Sequence, residues 1–465
     1  MTNASTNQRV AVIGGGVTGL AAAHRLIELG GAEVELFDAN AAPGGLLTTE
    51  RVGDCLVERG ADSFITNKPD GIELCLRLGL ESELIRTNSD FRRSLVLHNG
   101  RPVEVPRGFQ LLMPTQLEPI MATDLLSDAG KQRVADEASI PAADGLKDES
   151  VASFVKRRFG AELFDRLAQP MVGGIYTADP EKLSILATLP RFLHMEQQHG
   201  SLTQAAAMAE PEAASGARYG LFVSLRDGIQ QLVTALVKRI EAAATIHRGR
   251  AVQNVSRQNN GWLVTNTGGT TAHFNSVIVA TSAWRAADLL SEYPGLASTL
   301  TSIPYASSAV VCSVHRLSDI QHPMDAFGLV IPAIESRRIL AVSFSSRKFA
   351  NRAPDDCIIL RTFVGGAMQP EMLEHSDAGL VTIVREELAE IFGVGGEPVH
   401  SIVTRYDRAM PQYHLGHIDR VAQIREHVAG LDGLEIAGNA YEGVGIPDSI
   451  RSGEEAAKRI SGEPR

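Results

Sequence analysis

Three glycine-rich stretches of this chain have the residue types and spacing that bring backbone amides against phosphate or a polar ring. In the first, Gly14-Gly15-Gly16-Val17-Thr18-Gly19, Gly14 permits a tight turn, Gly16 lets N–H groups approach a pyrophosphate, and Gly19 lets a helix pack closely on a strand. The helix that opens here presents partial positive charge to the diphosphate. Asp38, followed by Ala39, stands about twenty residues on, where a carboxylate accepts hydrogen bonds from a ribose. The second stretch is Pro43-Gly44-Gly45, followed by Glu58-Arg59-Gly60-Ala61-Asp62-Ser63. Alone it reads equally as a surface turn or as a further backbone approach to the same ligand. The third stretch, Ala437-Gly438-Asn439 and then Gly443-Val444-Gly445-Ile446, precedes a helical pattern. It offers a second helix N-terminus, suited to a ring carbonyl at the far end of the ligand, with a plain strand-to-helix loop as the alternative.

Such turns need strands and helices to hold them, and the apolar pattern provides both. Arg9 to Ile13 reads as a strand, Thr18 to Leu29 as a helix and Glu33 to Phe37 as a second strand, which makes a βαβ unit. From Phe109 to about Ala217 the spacing turns helical, at Leu117 to Leu125, Val151 to Ala168 and Gln197 to Ala209, with Ala135 to Glu149 as an exposed loop. After Tyr219 the chain returns to mixed α/β. A helix is expected over Gly228 to Ala243 and strands near Thr245 to Val255, Trp262 to Asn266 and Val277 to Ala280. Further strands follow at Ala309 to Val314, Gly328 to Ile331, Ile339 to Ser343 and Ile358 to Val364, then helices near Ala378 to Phe392 and Ile418 to Val428. The last strand, Leu434 to Ala437, leads through the third glycine stretch into a helix from Ser449 to Ile460. Glycine turns at both ends of the chain imply one discontinuous dinucleotide domain.

The bulk numbers exclude several classes. A chain of 465 residues is too long for one core, and its 44% hydrophobic and 21% charged residues are those of a globular protein. Forty-four Lys and Arg against 55 Asp and Glu leave a formal charge of −11, which offers no net positive field to a nucleic acid. Cys55, Cys75, Cys312 and Cys357 lie far apart, without a C-x-x-C pair, and so point to a reducing compartment rather than a disulfide framework or zinc site. The opening residues are polar and leave no room for a secretion signal. Trp262 to Trp284 lacks charge but is rich in Thr, Asn and Gly, so it reads as strands and no transmembrane helix is expected.

Five segments carry a family resemblance: GGGVTGLAAAHRL near the start, VERGADSF, PMVGGIYTADPEKLSILATLPRF from Pro170, SLRDGIQQLV from Ser224 and AGNAYEGVGIPDSIRSG from Ala437. They resemble the oxygen-dependent protoporphyrinogen and coproporphyrinogen oxidases of haem synthesis, within the amine-oxidase-like flavoproteins. The first is common to many flavoproteins, whereas the third and fifth are distinctive. One departure is visible, since bacterial members often have proline where this chain has Ala61. The resemblance implies an α/β fold: a discontinuous Rossmann-type FAD-binding domain over 1–90, 218–300 and 426–465, a mixed-sheet substrate domain over 91–108 and 301–425, and a helical lobe over 109–217. It implies FAD contacts at Gly14 through Gly19, Asp38, Ala39, Gly44, Gly45, Gly60, Ala61, Asp62, Ser63, Val252, Gly438, Val444, Gly445 and Ile446.

It further implies a tetrapyrrole substrate, coproporphyrinogen III favoured over protoporphyrinogen IX, with O₂ as acceptor and H₂O₂ as product, in the cytoplasm or peripheral to a membrane. The hydride chemistry belongs to the flavin N5, so no protein nucleophile is expected. Gly173-Gly174-Ile175-Tyr176 is the expected tetrapyrrole contact, through Gly174 and Tyr176, with an ordinary turn as the alternative. The alternatives on the same scaffold are an amine oxidase, a carotenoid desaturase or a tetrapyrrole carrier that does no catalysis. His414-x-x-His417 lacks a third ligand at matching spacing and reads as surface or loop rather than as a metal pair. Arg157 and Arg158 are expected on a solvated helix face, Glu58 paired with Arg59 or a cofactor hydroxyl, and Arg451 in a structural role.

Overall fold

The computed structural model describes residues 8–208 and 222–463. The polar opening residues 1–7, the expected helix end at Ala209, the expected lobe end at Ala217 and the return to mixed α/β after Tyr219 lie outside the described residues, in whole or in part. Two sheets and a helical lobe organise the rest.

The first sheet is parallel, in the order Thr245–His247, Ala32–Phe37, Gln8–Ile13, Ser276–Val279, Leu434–Ile436. Its strands are short apolar runs because both faces are covered. Val10, Val12, Leu36 and Ile278 point into one core, and Ala11, Ile13, Phe37, Val277 and Val279 into another. Helix Val17–Leu29 packs against the final helix, Ile446–Ser461, closely enough that a Cβ on Gly453 would stand 2.2 Å from the Thr18 carbonyl oxygen. The first and last segments of the chain therefore belong to one unit.

The second sheet has seven strands, in the order His400–Pro411, Tyr305–Arg316, Cys357–Gly365, Ala341–Phe344, Gly328–Val330, Leu95–His98, Arg101–Glu104. All neighbours are antiparallel except Gly328–Val330 with Leu95–His98. Strands from 91–108 thus join strands from 301–425. Helix Asp377–Phe392 covers one face through Leu380, Val384, Leu388 and Phe392. The edge strand His400–Pro411 carries no clear apolar alternation, because an edge bearing Arg405, Asp407 and Arg408 is half-solvated. The sequence pattern missed it for that reason.

The lobe packs against the seven-stranded sheet, and its core gathers Phe154, Val155, Phe159, Leu167, Phe192 and Leu193. The single helix expected over Val151 to Ala168 is broken: Gly160, at φ +90°, ends helix Val151–Phe159, and Phe164–Ala168 is a π-helical turn. Likewise Gly200, at φ +71°, separates helix Pro190–His199 from Leu202–Met208, so no helix begins at Gln197. The strand expected over Thr245 to Val255 is two strands, Thr245–His247 and Val252–Gln258, parted by a turn at Gly249.

Two charge assignments change as well. Arg158 is fully buried, donating to Glu137 at 2.8 Å and lying 3.3 Å from Glu196, both carboxylates equally buried. Arg157 bridges Glu149 and Glu196 at 2.5 Å each. The solvated face expected for these arginines holds only in part: Arg157 is half-buried, whereas Arg158 is internal to the lobe, and the segment Ala135 to Glu149, expected as an exposed loop, sends Glu137 inward to meet it. Helical spacing places a residue on a face but does not say which long-range acid waits there.

Candidate functional site

The opening turn is built from contacts that exclude side chains. Gly14 has φ +110°, and a Cβ there would stand 2.4 Å from the Ala280 carbonyl oxygen. A Cβ on Gly19 would fall 1.8 Å from the Gly14 carbonyl, and one on Gly15 2.0 Å from the Asp38 carboxylate. Gly16 differs, because a Cβ there meets no protein atom within 4 Å. It is the N-cap of helix Val17–Leu29 with no side-chain cap, so the first amides of that helix, at Val17 and Thr18, have no side-chain acceptor. Asp38 is buried, which pushes its carboxyl above the usual range, against the backbone amides of Asn40 and Gly15. Ala39 is exposed beside it.

The second glycine pair folds onto the first turn. The Gly44 amide donates to the Gly15 carbonyl at 2.8 Å, Gly16 and Gly44 form an isolated parallel bridge, and Gly45, at φ +59°, packs its α-carbon side against Gly16. Gly60 continues the contact: a Cβ on it would lie 1.8 Å from the Leu46 carbonyl oxygen. The loop beyond is held by charge. Asp62 pairs with Lys348 at 2.9 Å and Arg361 at 3.0 Å, Ser63 donates to Asp62 at 2.6 Å, and Arg361 also donates to the Gly60 carbonyl. Burial raises the Asp62 carboxyl, but the two cations outweigh it and hold it well below the usual carboxylate range. Asp62 thus faces inward, and Ala61 packs against the core of the parallel-sheet unit.

Glu58 does not meet Arg59. It is buried, accepts from Thr49 Oγ1 at 2.7 Å and the Ile229 amide at 2.9 Å, and lies 3.8 Å from Arg352. Burial pushes its carboxyl up, opposed by those hydrogen bonds. Arg59 turns the other way, to Glu50 and Thr404, because successive residues of a strand point to opposite faces.

Val252 lies near Asp38 through the intervening backbone, since the Arg250 amide donates to the Asp38 carbonyl at 2.8 Å. Its own carbonyl accepts from Arg285 at 2.9 Å. At the far end, Gly438 has φ +145° and its would-be Cβ lies 3.5 Å from the Thr281 carbonyl oxygen. Gly14 touches Ala280 and Thr281 from the other side, so the opening and closing turns meet across the end of one strand. Gly445 is the uncapped N-cap of the final helix, Ile446 enters the core of the parallel-sheet unit, and Val444 packs against the core of the lobe. Asp448, in the first turn of that helix, is buried and pairs with Lys68 at 2.6 Å and Arg451 at 3.0 Å.

The lobe and the seven-stranded sheet line a small, partly open cleft of about 20 Å³. Gly173, Gly174 and Thr177 form one wall; Ile331, Gly365 and Met368 form the other. A Cβ on Gly174 would stand 3.7 Å from Val330. Tyr176 is absent from those walls; its hydroxyl donates to the Thr188 carbonyl at 3.3 Å and it packs against the lobe core. His414 and His417 are not a surface pair. His417 is buried and stacked on Tyr413, with ring centroids 3.9 Å apart, and burial lowers its pKa to about 4 despite its bond to the Tyr441 carbonyl. Among the described residues no group of three or more His, Cys, Asp or Glu is placed to hold a metal ion, and no helix is long and apolar enough to cross a membrane.

The donor set fits a dinucleotide: an open Gly16 cradle at one uncapped helix start, a buried carboxylate at the next strand end, and a second uncapped helix start facing the lobe. Sequence reasoning missed Lys348, Arg361, Tyr413 and Thr281, which shape this site from distant parts of the chain and leave no local signal. Comparison with known proteins agrees with the geometry. The model of the family described as flavin containing amine oxidoreductase matches residues 17–461. Coproporphyrinogen III oxidase of Bacillus subtilis is 33% identical over 459 residues, covering 97% of each chain. Protoporphyrinogen oxidase 2, chloroplastic/mitochondrial, of Arabidopsis thaliana is 29% identical, over 98% of this chain and 94% of its own. A crystal structure from Exiguobacterium sp. 255-15 superposes with a TM-score of 0.88 at 29% identity, over 99% of this chain and 100% of that one. With its two glycine turns, its mixed second sheet and a match along nearly its whole length, the chain belongs to the flavin containing amine oxidoreductase family.

Proposed function

We propose that this protein is an FAD-dependent porphyrinogen oxidase of haem biosynthesis, acting on coproporphyrinogen III in preference to protoporphyrinogen IX, with O₂ as acceptor and H₂O₂ as product. The observation that carries the reading is the cleft lining. Among the described residues no wall residue is ionisable, and apart from the Gln169 amide and the Thr177 hydroxyl the walls are apolar, with two adjacent glycines. Such a surface suits the flat edge of a macrocycle. It lacks the carboxylate or aromatic cage that an amine cation needs, which disfavours the amine oxidase alternative. Preference for coproporphyrinogen III is supported by the name of the Bacillus subtilis relative.

FAD supplies the two-electron acceptor, and six hydrogens leave the substrate in three rounds, each reducing one O₂ to H₂O₂. The chain's part is to bind and orient. The Gly14 to Gly19 turn would hold the pyrophosphate through the amides that follow Gly15, since the Gly14 amide donates to the Phe37 carbonyl and that of Gly15 to Asp38, with Gly44 and Gly45 behind them. Asp38 and Ala39 take the ribose, and Val252 packs at the adenine. Gly60 to Ser63, Gly438 and Val444 to Ile446 surround the ring. Gly174 lets the macrocycle approach the backbone, and Tyr176 braces the wall behind it. Four free thiols fit a reducing cytoplasm.

The test is an assay of the FAD-loaded protein with each porphyrinogen under air, followed by porphyrin fluorescence. We expect turnover of both, faster with coproporphyrinogen III. Fluorescence no faster than autoxidation overturns the reading. A porphyrinogen that binds without bleaching the flavin in stopped flow identifies a carrier instead, and turnover of a polyamine or polyene alone identifies one of the other oxidases.

A further inference from the structure

The segment Pro411 to His417 leaves the seven-stranded sheet and touches both the lobe and the closing glycine turn. The Gln412 amide donates to the Pro304 carbonyl, and its side chain donates to the Tyr176 carbonyl at 3.3 Å. The Tyr413 carbonyl accepts from the Ser184 amide at 2.8 Å, His414 bridges Leu183, and the Leu415 amide donates to Lys182 at 3.0 Å. These bonds tie the segment to the lobe. Its side chains go elsewhere. The Tyr413 hydroxyl donates to the Asn439 carbonyl at 2.6 Å and accepts from the Gly443 amide at 2.8 Å, so one oxygen closes both ends of the loop that leads into the final helix. His417, stacked flat beneath the phenol, donates from Nε2 to the Tyr441 carbonyl at 3.1 Å in the middle of that loop.

We propose that Tyr413, with His417 stacked on it, is a positioning residue: its phenol oxygen sets the height of the Gly443 to Ile446 backbone against the flavin ring and ties that height to the lobe that carries Gly174. This rests on the reading that Val444 to Ile446 face the ring. The phenol is only 2% exposed, and both its proton and its acceptor capacity are used on the loop, so its position is set from both sides. A buried hydroxyl replaced by hydrogen leaves the Asn439 carbonyl and the Gly443 amide without partners, and the loop must move to find water. The helix amides that follow Gly445 move with it. Their partial positive charge stabilises the reduced flavin more than the oxidised one, because reduction adds negative charge to the ring. A displaced helix start therefore weakens that preference.

The experiment compares the wild type with Tyr413→Phe as FAD-loaded holoenzymes, measuring the two-electron flavin potential, the flavin absorption envelope, thermal stability, and kcat and KM with coproporphyrinogen III. We expect FAD to be retained and the preference for reduced flavin to fall about tenfold, a shift of about −30 mV for a two-electron couple. We expect kcat to fall by a similar factor while KM changes little. A lower thermal midpoint with potential and absorption unchanged is what a merely structural role gives, and that result overturns the proposal. If Tyr413→Phe does not fold, His417→Leu takes its place: it keeps the phenol but frees the Tyr441 carbonyl, a smaller shift of the same sign is expected, and an unshifted potential overturns the proposal. Wild-type protein that takes up no FAD, or holds it without oxidising either porphyrinogen, defeats the functional reading itself. A wild type that turns over normally beside an indistinguishable Tyr413→Phe defeats only this proposal.

Discussion

The opening and closing glycine turns meet at Ala280 and Thr281, yet they are held in different ways. Around Gly14 to Gly19 every atom that forbids a Cβ belongs to the turn, to Asp38 on the adjacent strand, or to Ala280 and Thr281 beside them. That turn is shaped by its own backbone and its immediate sheet. Around Gly438 to Gly445 the backbone is instead gripped by side chains: Ser452 Oγ on the Gly438 amide, Tyr413 on Asn439 and Gly443, and His417 on Tyr441. Asp448 crowds Gly443 and is itself pinned by Lys68. A self-supporting turn fails together with its domain, whereas a clasped turn can loosen while the domain stands.

The largest expected effect breaks the opening turn. Gly19→Ala places a methyl 1.8 Å from the Gly14 carbonyl, which only a backbone shift relieves; we expect a loss on the order of 3 kcal/mol in urea unfolding and loss of bound FAD. Unfolding at the wild-type midpoint with full flavin content contradicts the self-supporting picture.

Acid should act on the closing turn. His417 titrates near 4 in the folded protein, against 6.5 when unfolded. The unfolded chain therefore binds the extra proton first as pH falls. Stability is full above pH 6.5 and declines toward pH 4, by up to about 3 kcal/mol for this one group. His315, also lowered to about 4 by burial, adds to the global decline but touches neither turn. Hydrogen exchange at pH 5 should therefore accelerate at Asn439 to Gly443 before it does at Gly14 to Gly19. Equal acceleration at both would remove the distinction.

A smaller effect is expected for Tyr413→Phe on stability alone, about 2 kcal/mol, from two lost bonds that strand the Asn439 carbonyl and the Gly443 amide. Chemical denaturation reads it directly, and a value above that of Gly19→Ala would invert the comparison. Smallest of all for the fold is Gly16→Ala, whose methyl meets no protein atom. We expect less than about 1 kcal/mol, the difference between Gly and Ala at an N-cap, while FAD affinity, read by titration of the apoprotein, falls steeply. Gly16→Ala with unchanged affinity would mean that the pyrophosphate lies elsewhere.

This contrast also explains what could be read in the residues. Arg9 to Ile13, the glycines after it and Asp38 form a local unit, and a strand–turn–helix–strand of that kind is written in consecutive positions. The helix over Asp377–Phe392 and the strands near Gly328–Val330 and Cys357–Gly365 were legible for the same reason, with ends within a few residues. Illegible were the edge strand His400–Pro411, with its solvated charges, and the break at Gly160, where a single positive φ divides an otherwise continuous apolar pattern. Glu58 was expected beside Arg59 and Arg158 on a solvated face, and neither holds because each finds its partners far along the chain, Ile229 for one and Glu196 for the other.

By itself, then, the amino-acid sequence determined the parallel sheet's opening unit, the family and the kind of ligand, since these depend on short-range sterics and on motifs whose spacing is their function. Tertiary structure alone decided which surfaces face the cleft, that Tyr176 braces its wall and is not part of it, and that a phenol from a distant strand end closes the last glycine turn. The physical reason is that a backbone turn needs only its neighbours to exclude a side chain. A buried polar group must find its hydrogen-bond partner wherever the fold brings one.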